Sequence, residues 1–213
     1  MWNRTENQIK LILMRHGETA ANKEHRYLGR TDETLSIEGK ENLLQYEKQG
    51  KYPKADMVFI SPMKRCKETA QLLYATVTTR EIPEWTEMDF GDFEGKNYTE
   101  LQHDERYQTW IDCNGTMPFP NGESREMFIR RCMQGMDKFI QSLYEEMADR
   151  KIENVAAVVH GGTIMALMQY LLKGEYFSYQ AANACGYHLS GKLILLNGKI
   201  KRLQINDVEE TGC

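Results

Sequence analysis

The chain has 213 residues, 41% of them hydrophobic and 27% charged, with a formal net charge of -4. That length suits a single core within one domain spanning residues 1–213, and the mild acidity speaks against a general nucleic-acid binder. The opening stretch Met1 to Gln8 is polar and no apolar run is long enough to cross a bilayer, so a cytoplasmic protein with no membrane partner is expected.

Leu11 to Met14 is an apolar run that breaks into Arg15-His16-Gly17-Glu18-Thr19. Four large apolar residues predict a buried strand, and glycine turns the chain where a side chain would not fit. Arg15 and His16 therefore stand at a strand's carboxyl end, the edge at which open α/β sheets bind ligands. An arginine beside a histidine offers a phosphate fork next to a nitrogen nucleophile; alternatively the pair is a satisfied strand-end histidine and a surface arginine. After a polar loop through Asp32, a helix is predicted from Ser36 to Gln49, stopped by Gly50. A strand over Asp56 to Ile60 leads to Ser61-Pro62-Met63-Lys64-Arg65, with Ser61 suited to the N-cap, Pro62 to the first helical position and Arg65 to the first turn. That helix runs to Ala75 with Cys66, Thr69, Ala70 and Leu73 on one face. A short strand over Thr79 to Ile82 precedes an acidic segment beginning at Glu87. The stripe Phe128, Cys132, Met136, Phe139, Leu143 and Met147 marks a long helix from Glu123 to Ala148. Val155 to Val159 repeats the opening pattern, a buried strand ending in His160-Gly161-Gly162-Thr163, before an apolar stretch from Ile164 to Leu172. Asn197-Gly198 between two apolar runs signals a hairpin. Strands alternating with helices predict an α/β fold, a three-layer αβα sandwich with a mostly parallel central sheet and antiparallel C-terminal strands.

These residues resemble the histidine phosphatase superfamily, also called phosphoglycerate mutase-like. The pieces that match are Arg15-His16-Gly17-Glu18-Thr19 with Asn22, Arg30-Thr31-Asp32, Leu35-Ser36 leading to Gly39, Ser61-Pro62-Met63-Lys64-Arg65 with Thr69-Ala70, Glu87 to Gly95, Gly122-Glu123-Ser124 and His160-Gly161-Gly162. They occur in family order across nearly the whole chain, which is far more specific than one short motif. Within the family the resemblance runs towards short bacterial phosphatases acting on α-ribazole 5'-phosphate in cobalamin biosynthesis, on the cues Tyr27 to Asp32 and Met88 to Gly95. Against a mutase, Glu87 is not followed by the Arg-x-Tyr-Gly that mutases usually carry.

A phosphomonoester dianion repels nucleophiles until its oxygens are neutralised. Arg15, Arg65 and His160 are the candidates for that task, and His16 is the candidate nucleophile, an imidazole being a competent phosphoryl acceptor near neutral pH. The resemblance implies the same role for His16 and phosphate contacts for Arg15, Asn22, Arg65 and His160. Expelling an alkoxide needs a proton, and Glu87 occupies the position of the family's acid; Asp89, Asp92 and Glu94 are neighbouring alternatives. No histidine or cysteine spacing suggests a metal, so neither metal nor cofactor is expected. His25, His103 and His188 fit no motif, and Asp32, Glu94 and Glu123 have equally good structural readings as turn residue, acidic surface and first-turn charge. Cys66, Cys113, Cys132, Cys185 and Cys213 are scattered with no Cys-x-x-Cys pair and read as free thiols.

The segment 97–121, with Tyr98, Tyr107, Trp110 and Phe119, is expected to cap the site, its aromatics either stacking on a flat ring of the substrate or simply packing. The expected partner is a small phosphorylated metabolite, with no nucleic acid and a monomer or homodimer as the assembly. The alternatives are a phosphoglycerate mutase-type transferase, a broad-specificity sugar phosphatase and, more remotely, a non-catalytic phosphate-binding module.

Overall fold

A computed structural model describes residues 4–196 and 199–211. In chain order the elements are β1 (Arg4–Arg15), α1 (Ala20–Lys23), α2 (Ile37–Lys48), β2 (Met57–Ile60), α3 (Lys64–Tyr74), β3 (Thr79–Glu81), α4 (Tyr98–Leu101), α5 (Glu105–Asp112), α6 (Arg125–Asp149), β4 (Asn154–Val159), α7 (Gly161–Leu172), β5 (Gly186–Leu196) and β6 (Lys199–Glu210). The strands form one sheet in the order β3-β2-β4-β1-β5-β6. The pairings β3–β2, β2–β4 and β4–β1 are parallel, whereas β1–β5 and β5–β6 are antiparallel.

Strand alternation sorts the apolar residues into two cores. Leu11, Leu13, Phe59, Val155, Ala157 and Val159 face one side and bury against Phe128, Phe139 and Leu143 of α6 and Ile164 and Leu167 of α7. Ile12, Met14, Val58, Ile60, Ala156 and Val158 face the other, against Leu43 of α2 and Cys66, Ala70 and Tyr74 of α3. Because both faces are covered, the central strands read as continuous apolar runs rather than alternating ones. The outcome is the three-layer α/β arrangement expected from sequence.

Several local expectations move. The first strand begins at Arg4 rather than Leu11, because the polar half of β1 pairs with β5 over a register that apolarity alone does not reveal. Ser61 is not the N-cap of α3: that position falls to Met63, whose side chain makes no capping bond. Capping comes from far upstream instead, since Asp32 Oδ1 accepts from the Lys64 amide at 2.7 Å. Glu123 likewise precedes the Ser124 N-cap of α6 and pairs with Arg131 at 2.7 Å instead of serving as first-turn charge. Cys66, Cys113 and Cys132 are free thiols as expected, but Cys185 is disulfide-bonded rather than free. Cys213 and the Asn197-Gly198 turn lie outside the described residues, although the strands flanking that turn pair antiparallel as expected. Among the described residues no helix is long and apolar enough to cross a membrane.

Candidate active site

The register of β1 against β4 brings the two strand-end histidines together. Arg15 is opposite Val159, and the His16 amide donates to the Val159 carbonyl at 3.0 Å, so His16 and His160 leave adjacent strands at the same level. Their rings meet edge to face with centroids 5.2 Å apart. Both are buried.

Partners distinguish the two imidazoles. His16 Nδ1 donates to its neighbour's carbonyl, Gly17 O, at 2.7 Å, which fixes the tautomer and leaves the lone pair on Nε2. A Cβ at Gly17 would lie 2.5 Å from the buried Leu43 Cδ1, so a larger residue there would have to displace that side chain. His160 has both nitrogens engaged. Nδ1 accepts from Arg65 Nε at 3.2 Å, so Nε2 carries the proton and donates to Ser61 Oγ at 2.7 Å. Burial, followed by the positive charges of Arg65 and Arg15, holds His16 well below the usual imidazole range. His160 is depressed for the same leading reason. Both are therefore neutral near pH 7.

Arg65, in the first turn of α3, is fully buried. Its Nη1 donates to Thr31 O at 2.8 Å and its Nη2 to Gly29 O at 2.9 Å. That loop is itself pinned by Glu94, whose Oε1 accepts from the amides of Gly29 (2.8 Å) and Thr31 (2.9 Å). Glu94 thus acts through Arg65 as a buttress. Arg15 Nη1 donates to Ala181 O at 3.0 Å, while its Nε is a buried donor with no protein partner. A buried, unpartnered guanidinium N–H beside His16 is suited to an anion.

Glu87 is buried in the same cleft as Arg15 and Asn22, a cavity of about 230 Å³. Its Oε1 accepts from the Met88 amide at 2.9 Å and its Oε2 from the Gly162 amide at 3.0 Å. Any side chain at 162 would collide with this carboxylate, since a Cβ there lies 2.5 Å from Oε1. Burial raises the Glu87 carboxyl above its usual range despite the two amides and the arginines that pull the other way. The alternative acids stand elsewhere. Asp89 Oδ1 accepts from the Gly91 amide, Asp92 is half-buried and paired with Arg106 at 2.7 Å, and Glu94 holds the Gly29–Thr31 loop. Asn22 closes a capping box with Thr19 and lines the cleft beside Arg15.

Two contributors went unseen in the sequence. Asn183 Nδ2 donates to His16 O at 3.2 Å and to Asn22 Oδ1 at 3.0 Å, tying both predicted residues to the loop before β5. Arg131 grips the segment carrying Glu87: Nη1 donates to Glu84 O (2.8 Å) and Thr86 O (2.7 Å), while Nε and Nη2 fork onto Glu123. An arginine three residues past Phe128 is the available signal, but its backbone targets, the carbonyls of Glu84, Thr86 and Glu87, lie 44 to 47 residues upstream.

The polar cleft opens into an apolar chamber of about 310 Å³ that shares Tyr27, Glu87, Phe90, Gly162 and Met165 with it. Trp110 and Phe119 of the 97–121 segment line the chamber, with rings 4.6 Å apart and stacked. Tyr107 is buried against Phe93 as packing, and Tyr98 is exposed. Within the segment, Trp110 and Phe119 thus line the chamber, whereas Tyr107 belongs to the packing. Cys66 Sγ lies 3.7 Å from His160 Nε2, but burial pushes its thiol up to about 12, and it is packing rather than a nucleophile.

Buried neutral imidazoles make stability depend on pH. In the unfolded chain His16, His160 and the half-buried His188, also depressed by burial, take protons below about 6.5, whereas the folded sites resist protonation to lower pH. The unfolded state then binds more protons, so stability falls as pH drops from about 7.5 to about 5.5. Glu87 acts in the opposite sense, its folded carboxyl keeping a proton to higher pH, but it is one group against three. The expected result is a lower Tm at about pH 5.5 than at about pH 7.5 in thermal melts of the ligand-free protein. An equal or higher Tm at the acid end would contradict this electrostatic reading.

The sequence profile described as "Histidine phosphatase superfamily (branch 1)" matches residues 11–192. The chain is 32% identical over 182 residues to the Bacillus subtilis phosphatase PhoE, covering 82% of this chain and 84% of that protein. It is 31% identical over 169 residues to the adenosylcobalamin/alpha-ribazole phosphatase of Salmonella typhimurium, covering 77% and 80%. The crystal structure of the alpha-ribazole phosphatase from Shigella flexneri superposes with a TM-score of 0.69 at 27% identity, over 93% of this chain and 96% of that one.

Proposed function

Since the chain belongs to the histidine phosphatase superfamily (branch 1) and is a phosphatase, we propose that it hydrolyses a small phosphomonoester through a phosphohistidine on His16. The observation that carries this reading is one cleft lined by Arg15, with its unpartnered Nε–H, and by the buried Glu87, next to His16, whose Nδ1 is tied to Gly17 O. The phosphoryl oxygens meet Arg15, Asn22 and Arg65, and the incoming anion competes with Ser61 for the Nε2–H of His160. His16 Nε2 attacks phosphorus as the ester bond breaks, and Glu87 delivers its proton to the departing alkoxide. The same carboxylate then takes a proton from water, whose oxygen attacks the phosphohistidine and frees inorganic phosphate together with neutral His16. Glu87 thereby ends the cycle protonated, as it began.

The alcohol part sits in the adjoining chamber, whose aromatic lining favours a flat, largely apolar group. α-Ribazole 5'-phosphate, the substrate class in the names of the Salmonella and Shigella relatives, is the first ester to assay. The test is phosphate release from a panel containing α-ribazole 5'-phosphate, phenyl phosphate and 3-phosphoglycerate. Faster release from the two ring-bearing esters is expected; preference for 3-phosphoglycerate, or transfer to an acceptor without phosphate release, would overturn the reading.

Charge neutralisation in this scheme falls to arginines and histidine rather than to a metal. Among the described residues no group of three histidine, cysteine, aspartate or glutamate side chains is placed to hold an ion. Activity is expected to survive exhaustive chelation within about twofold. Loss on chelation with recovery on adding one divalent ion would contradict the mechanism.

A further inference from the structure

The chamber carries one cation. Arg125, the first residue of α6, lines it with its guanidinium 5.5 Å from the Phe177 ring centroid and 5.8 Å from that of Tyr176. Among the described residues it makes no ion pair, because the adjacent acids are committed: Glu126 to Arg130 and Glu123 to Arg131, each at 2.7 Å. A second donor in the chamber wall, Trp110 Nε1, is buried with no protein partner. Arginine stacked on aromatic faces keeps its in-plane N–H groups for an acceptor, and an apolar surround leaves its charge poorly screened. The other ionisable carboxylate or cation of the lining is Glu87, at the end shared with the phosphate cleft.

We infer that Arg125 forms a second anion subsite, which selects phosphomonoesters whose alcohol carries both an apolar ring and its own negative charge. This rests on the phosphomonoesterase reading and sharpens its substrate class. The phosphate enters at Arg15, the ring lies among Tyr27, Phe90, Trp110 and Phe119, and a carboxylate or similar group meets Arg125. A neutral riboside in the same chamber leaves Arg125 without a counter-charge, so charged congeners are the better substrates.

The test compares para-(carboxymethyl)phenyl phosphate with its primary amide. A methylene insulates the ring from the acid, so the two leaving groups are alike and the ratio of kcat/KM reports charge recognition. Wild-type enzyme is expected to favour the acid about tenfold, chiefly through KM. Arg125→Met should bring the ratio close to one, and Arg125→Lys should retain part of it, a point charge replacing the planar fork. Because each ratio is taken within one enzyme, a general loss of folded protein cancels, and thermal melts accompany the variants. A wild-type ratio near one, or a preference that survives Arg125→Met, would overturn the subsite. The underlying reading is tested apart, by phosphate release from phenyl phosphate in wild-type enzyme: no release from any ester overturns both, whereas release with a flat ratio overturns Arg125 alone.

Discussion

His16→Ala is expected to abolish turnover, by about 10⁴-fold or more, on every ester regardless of its leaving group. In the proposed mechanism every ester passes through the phosphohistidine, and the hydrogen-bond partners of the two buried strand-end imidazoles favour His16 as its carrier. His160, 5.2 Å away, is equally buried and equally neutral, yet both its nitrogens are spoken for by Arg65 and Ser61. His16 is held by Nδ1 alone. A brief reaction of wild-type enzyme with labelled substrate should therefore trap a phosphohistidine, stable in base and labile in acid, that maps to His16. His16→Ala should carry no label. Label on His160 in wild-type enzyme, or label persisting in the variant, would show that the hydrogen-bond partners do not decide between the two rings.

What the sequence revealed of this site, and what it hid, follow from the range of the interactions concerned. His16 and His160 were legible because each ends a run of buried strand residues and is followed by glycine, a signal contained in a few consecutive residues. Their proximity was a conjecture until the register of β1 on β4 was known. Arg65 was legible as a first-turn residue, but the cap that fixes its helix comes from Asp32 rather than Ser61. Ser61 looked like a cap for local reasons, yet its hydroxyl instead serves His160, almost a hundred residues on. Arg131 and Asn183 were invisible for the same reason. Each acts on backbone atoms of a distant segment, and neither periodicity nor a short motif encodes which carbonyls a side chain will meet. The apolar chamber is likewise assembled from separated stretches of chain, so its aromatics have two possible roles when read as sequence, and packing assigns Tyr107 to the core and Trp110 to the wall.

Glu87→Gln should separate the acid from the nucleophile. A proton donor matters in proportion to how poor the leaving group is, so the variant is expected to lose about 100-fold or more on an alkyl phosphate and much less on p-nitrophenyl phosphate, whose phenolate departs unprotonated. The structure adds a complication that the substitution's similar size conceals. Both carboxylate oxygens accept from backbone amides, Met88 N at 2.9 Å and Gly162 N at 3.0 Å. Glutamine supplies one acceptor and one donor, so one of those amides faces another N–H in a buried setting. Some loss of Tm is therefore expected, together with a loss of rate common to both esters. The ratio between the two esters cancels that common part and isolates proton transfer, because misplacing Gly162 or the Glu87 segment penalises any phosphate ester alike. A larger loss on the alkyl ester, by tenfold or more relative to the aryl one, supports Glu87 as the acid. Equal losses on the two would mean that Glu87 shapes the cleft through Met88 and Gly162 and that the proton comes from another group, with Asp89, held near Arg30 at 3.9 Å, the next residue to test.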